Sequence, residues 1–85
     1  MINEGEVKDR IRKFVAETAF VSEDKIQDQT HIFTEGIFDS MGFLSLINFI
    51  EDKFNIQAQD AELLEENFES IEAIASFIIK KSNSS

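Results

Sequence analysis

Between Glu4 and Phe20 the apolar side chains of Val7, Ile11, Phe14 and Val15 fall three or four residues apart, with Thr18 continuing the line. That spacing makes one face of a helix apolar and predicts a first helix over about 4–20. Asn3 followed by Glu6 has the arrangement of a capping box at its start. From Val21 to Phe38 the period disappears. Ser, Asp, Gln and Thr separate the isolated hydrophobes Ile26, Ile32, Phe33, Ile37 and Phe38, the pattern of a long loop pinned to a core at several points. Loops of that length inside a small domain are uncommon and usually functional. Ser22 is placed to cap a short turn within it.

The helical period returns from Ser40 to Phe54. At about 100° per residue, Phe43, Leu46, Ile47, Ile50 and Phe54 share one sector and are expected to face the core. Met41, Leu44, Ser45, Asn48, Glu51 and Asp52 lie on nearly the opposite side, a mixture of apolar and acidic groups that suits the docking of a partner. Asn55 is expected to end this helix. A short third helix is expected over Asp60–Glu66, with Asp60 as cap and Leu63 and Leu64 inward. Ser70 is the expected N-cap of a last helix, whose stripe is Ile71, Ile74, Ala75 and Ile78 and whose end carries Lys80 and Lys81, where cations favour the dipole.

These elements amount to an all-α fold, a small four-helix bundle of three longer helices and one short one, with a long loop between the first two. The expected organisation is a single domain over 1–85, ordered from about 4 to 80, with a frayed tail at 82–85. Composition agrees, since the chain has no Pro and three Gly, and Phe, Ile, Leu and Val make up about a third of it, enough for a packed core. A chain of 85 residues has little room for a layered enzyme cleft, so binding or carrying suits it better than catalysis.

Charge narrows the partners. Seventeen acidic against eight basic residues leave a net charge of −9, which disfavours nucleic acid and anionic lipid and favours basic protein surfaces. The longest apolar stretch, Ala73 to Ile79, is too short for membrane insertion, and the N-terminal residues do not have the pattern of a signal peptide, so a soluble, cytoplasmic monomer is expected. There is no Cys, so thiol chemistry needs a sulfur from elsewhere.

Among the serines, Ser40 stands where the long polar loop meets the first turn of a strongly amphipathic helix. The free amides and positive dipole of a helix start favour a phosphate there. Position alone leaves a plainer alternative open, that Ser40 or Asp39 is simply the N-cap.

The run Phe33-Thr34-Glu35-Gly36-Ile37-Phe38-Asp39-Ser40-Met41, followed by Leu44, Leu46, Ile50, Glu51, Phe54 and Ile56, resembles the signature of acyl and peptidyl carrier proteins. The likeness covers roughly residues 7–79. It implies that a phosphopantetheinyl transferase attaches 4′-phosphopantetheine from coenzyme A to Ser40. Cargo then rides as a thioester on the terminal thiol, in fatty acid, polyketide or related biosynthesis. It further implies that Asp39 helps position the transferase, and that Met41, Leu44, Ser45, Asn48, Glu51 and Asp52 meet loading and condensing enzymes with basic docking surfaces. The carrier itself would not be an enzyme. Two departures stand out. Carriers of fatty acid synthesis usually have acids where this chain has Gly42 and Ser45, and Lys53 follows Glu51-Asp52. The Asp-Ser-Met-Gly run is instead similar to free-standing aminoacyl carriers, including D-alanyl carriers. Gly42, costing a helix about 1 kcal/mol against Ala, suggests close approach by the arm or a partner, or else a tolerated imperfection.

Other readings compete. Phe43, Phe49 and Phe54 could line an acyl pocket or simply be core, with Phe49 the better placed of the three to touch cargo or partner. His31 with Ser40 could suggest a hydrolase, but the residues around Ser40 lack a nucleophile elbow. Glu65-Glu66 and Glu51-Asp52 form no calcium loop, and no metal is expected. The alternative of a different class is an unmodified acidic adaptor whose second helix docks a basic protein; it shares the fold and charge but has no need of Ser40.

Overall fold

A computed structural model describes residues 3–84, without the side chains of Glu65, Asn83 and Ser84. Four α-helices run in the order α1 (Glu4–Ala19), α2 (Ser40–Phe54), α3 (Glu65–Phe68) and α4 (Ile71–Ser84), with no strand among the described residues. The all-α bundle with a long first connection is therefore the fold. Its centre is the packing of α1 on α4: Val7, Ile11 and Val15 meet Ile71, Ile74, Ala75 and Ile78, all buried. Alpha2 adds Leu46 and Ile50 to this core, while Phe43, Ile47 and Phe54 at its edges are half-buried.

The caps follow the sequence closely. Asn3 accepts the Glu6 amide at 3.2 Å, although the Glu6 carboxylate pairs with Arg10 at 3.2 Å instead of completing a reciprocal box. Ser70 accepts the Ala73 amide at 3.1 Å, and Ser22 caps a single 3-10 turn at Glu23–Lys25. Asn55 ends α2 in the left-handed conformation. Alpha1 ends the same way at Phe20, a residue type that does not favour it.

The connection between α1 and α2 is held from both ends. Ile26, Ile32 and Phe38 are buried, as expected, and Phe33 and Ile37 are half-buried. Backbone bonds join Ile32 N–H to the Glu69 carbonyl and Glu72 N–H to the Asp28 carbonyl, each at 2.9 Å, so the loop is laced to the start of α4. Asp28 also pairs with Arg12 and Lys8 of α1, and Arg12 Nε donates to the Ile26 carbonyl at 3.1 Å. At Lys8 desolvation opposes the charge, but the bond to Asp28 and the carboxylates of Glu4, Asp28 and Glu72 outweigh it and raise its pKa. Nothing in the apolar period pointed to Arg12 and Asp28.

The expected helix over Asp60–Glu66 is a correction. The segment breaks into a 3-10 turn, Asp60–Glu62, and the single turn of α3, with extended backbone at Leu64 between them. Gln59, not Asp60, is the cap position, and its amide donates to the Glu62 carboxylate at 3.0 Å. The physical reason is Phe68, which is wholly buried. Leu63 packs against the same core five residues earlier, and a continuous helix would set the two about 140° apart. Breaking the helix turns both inward and leaves Leu64 out, 48% exposed. Phe68 carries no periodic signal; its only mark in the sequence is a lone aromatic among acids.

Eight of the nine phenylalanine rings form one connected set of contacts, from Phe54 through Phe49, Phe14, Phe38, Phe33 and Phe43 to Phe68 and Phe77. Edge-to-face and offset geometries of this kind add to the apolar burial. Alpha4 runs to Ser84, and Ser85 lies outside the described residues. No described helix is long and apolar enough to cross a membrane.

Candidate functional site

The start of α2 is built by three consecutive residues with separate duties. Phe38 is buried and anchors the chain, its ring edge-on to Phe14 and Phe33. Asp39 is the N-cap: its backbone is extended and its Oδ1 accepts the Gly42 amide at 2.9 Å, while its carbonyl accepts the Phe43 amide. Ser40 is then the first helical residue, exposed, and its hydroxyl bonds to no described group. Of the two cap candidates the structure chooses Asp39. Ser40 is left without a structural task.

Gly42 has a further reason beside the two weighed above. A Cβ there would stand 3.0 Å from Cγ of the Phe38 ring, so the glycine makes room for a core side chain. Gly36, at φ +77°, supplies the left-handed turn that brings the loop round to Phe38.

Beside Ser40 lies an open pocket of about 480 Å³, lined by Phe33, Phe38, Asp39, Ser40, Phe43 and Leu63. Its floor is apolar. A larger cleft of about 750 Å³ sits at the opposite end of α2, around Phe54, Asn55 and Ile56. By helical rise it is about 20 Å from Ser40, too far to share its chemistry.

The expected docking face is only partly assembled. Met41 and Leu44 are 71% and 57% exposed, and Ser45, Asn48 and Asp52 are exposed beside them. Glu51 has a second engagement that the apolar period did not indicate. It is half-buried, with Oε2 accepting the Ala58 amide at 3.1 Å, so it ties down the chain after α2. The apolar period alone could not separate it from Asp52, because an unpaired amide seven residues away claimed the carboxylate. Phe49 is half-buried, as its place at the edge of the sector implies, and its ring stacks on Phe14 at 4.2 Å across the α1–α2 contact. Phe43 is core, edge-on to Phe33 and Phe68, while lending one face to the pocket.

His31 is exposed, and its carbonyl accepts the Glu35 amide. Its side chain makes no hydrogen bond to Ser40, so the pairing of nucleophile and imidazole that a hydrolase needs is not seen among the described residues. The Glu65 side chain lies outside the described residues, and no metal-holding cluster forms among those described.

A helical bundle that presents one exposed serine hydroxyl at the mouth of its second helix, over an apolar pocket, has the form of a carrier. Residues 9–78 match the family model described as the phosphopantetheine attachment site, and the chain belongs to that family. It is thus a carrier protein bearing covalent 4′-phosphopantetheine. A search of curated proteins found no match.

The residues at the head of α2 fit such a group. A phosphodiester on Ser40 would meet the positive end of a 15-residue helix, where Asp39 takes the Gly42 and Phe43 amides and those of Ser40 and Met41 make no bond to any described group. Asp39 is held by the Gly42 amide, and the adjoining pocket gives an apolar wall on which an uncharged arm can rest.

Proposed function

We propose that Ser40 Oγ is the attachment point, and that the whole chain is one carrier domain that presents acyl or aminoacyl cargo to partner enzymes without catalysing their reactions. The observation that carries this is the division of labour at the head of α2: Asp39 caps the helix, so the Ser40 hydroxyl is exposed and unengaged. When bound, the group supplies a terminal thiol on a flexible arm, which holds cargo as a thioester. The chain's own part is to hold the hydroxyl in one place, to favour the phosphodiester charge through the dipole of α2, and to offer Met41, Leu44, Ser45, Asn48 and Asp52 to a partner.

With Glu51 half-buried and bonded to the Ala58 amide, Asp52 is the exposed acid on that face. A sparsely charged recognition helix favours the aminoacyl reading over fatty acid synthesis, whose partners are steered by stronger acidic helices. An unmodified adaptor would have no use for an unengaged serine in this position.

The test is direct. Incubated with coenzyme A, magnesium and a broad-specificity phosphopantetheinyl transferase, the chain gains the mass of one phosphopantetheine, fragmentation places it on Ser40, and Ser40→Ala gains nothing. An unchanged mass with several transferases would favour the adaptor. Loading the modified chain with fatty acyl or aminoacyl substrates then separates the two carrier types.

A further inference from the structure

Phe20 is the one phenylalanine outside the ring network, and it is 94% exposed. It also sits at φ 59°, where a Cβ crowds the following carbonyl and where glycine usually ends a helix. The turn itself needs only backbone and Val21. The amides of Phe20 and Val21 both reach the Ala16 carbonyl, and the Val21 side chain packs on the core. No contact within the fold uses the aromatic ring. Strain and exposure together at one residue, with no return inside the fold, point to a use outside it.

Its surroundings say what kind. Phe20 follows directly on Thr18 and Ala19, which wall a groove of about 290 Å³ whose other side is Ile37, Met41 and Ser45. Asp39 also borders this groove, so it opens at the same end of the bundle as Ser40. Exposed Glu17, Glu23 and Asp24 flank Phe20 along the chain, against a single cation, Lys25, in that stretch. An aromatic knob within an acidic border complements an apolar pocket ringed by Lys and Arg.

We propose that Phe20 anchors the docking of the phosphopantetheinyl transferase, its ring entering such a pocket while the enzyme spans the α1–α2 groove to reach Ser40. This builds on the reading of Ser40 as the attachment point, and the experiment separates the two. Phe20→Gly relieves the backbone strain, so the variant folds at least as well as the parent. Its KM as substrate of a broad-specificity transferase rises about tenfold, the loss expected when a central aromatic anchor is removed, with kcat unchanged. Phe20→Asn, which also tolerates the left-handed conformation, behaves alike. Binding is measured in parallel by calorimetry, using Ser40→Ala and the double variant Phe20→Gly/Ser40→Ala, neither of which depends on modification. Weaker binding by the double variant supports the anchor even if the parent chain is never modified, an outcome that sinks only the Ser40 reading. Equal binding of the two, no binding by Ser40→Ala, or an unchanged KM for Phe20→Gly overturns the anchor.

Discussion

The carboxylate of Asp39 accepts the amide of Gly42 at 2.9 Å, and this one bond relieves Ser40 of holding the helix it begins. Adjacent residues, both good caps by type, therefore have opposite sensitivities to substitution. Asp39→Ala is expected to lower stability by about 1 kcal/mol, with Asp39→Asn recovering most of it, because either side-chain oxygen can accept the amide. Ser40→Ala is expected to leave stability within about 0.5 kcal/mol of the parent. Urea titrations of the three variants check this, and a larger loss at Ser40 than at Asp39 would reverse the assignment of the cap.

Gly42→Ala pits propensity against packing. Alanine gains about 1 kcal/mol in a helix, but its methyl would meet the Phe38 ring at 3.0 Å, and that ring is wedged against Phe14 and Phe33. Overpacking of a held ring costs about 1–3 kcal/mol, so the net effect is destabilising. In a Phe38→Leu background the crowding falls, and the same alanine is expected to be better tolerated. A double-mutant cycle reads that coupling directly.

Arg12 and Asp28 join α1 to the loop that leads into the site. Asp28→Ala removes the shared partner of Arg12 and Lys8, and a loss of about 1 kcal/mol is expected, since Arg12 retains the Ile26 carbonyl and the exposed Asp9 carboxylate and Lys8 retains Glu4. Amide exchange at Ile32 and Glu72, whose bonds lace the loop to α4, should quicken more than exchange within α2.

Acid titration provides a local probe of the link between the second 3-10 turn and α4. The Gln59 amide and then the Lys81 ammonium, 2.9 Å away, hold the Glu62 carboxyl below its ordinary value of 4.5. Folding thus favours the charged form. Its contribution is complete above about pH 4.5 and is lost as the pH falls through the lowered value in the folded chain. Glu62→Gln is expected to lower stability most at neutral pH, where the carboxylate is charged, and to flatten this part of the profile as the pH falls below about 4.5. An unchanged acid limb would show that other carboxylates govern it.

The expected and observed structures agree most closely where apolar periodicity and a cap residue coincide. Val7, Ile11 and Val15 behind Asn3, the stripe of α4 behind Ser70, and the whole span of α2 were legible because burial of one helix face and satisfaction of the first amides are local demands. They are readable from residues within a few turns. The bond of Glu51, the stack of Phe49, the burial of Phe68 and the crowding at Gly42 were not legible for a common reason. Each is explained by a group remote in sequence or outside the helical period: the Ala58 amide, the Phe14 ring, a helix that had to break, and the ring of Phe38 beneath the first turn.

By itself the sequence determined the helical class, the loop-to-helix setting of Ser40, the missing thiol and the acidic surface, because these depend on residue type and spacing. Only the tertiary structure decided which of two neighbouring caps is used, which carboxylate on α2 is tied to the backbone, and that Phe20 alone among the phenylalanines stands outside the core. Those outcomes depend on which amides and rings arrive beside a residue once the chain has closed on itself, and no local pattern specifies that.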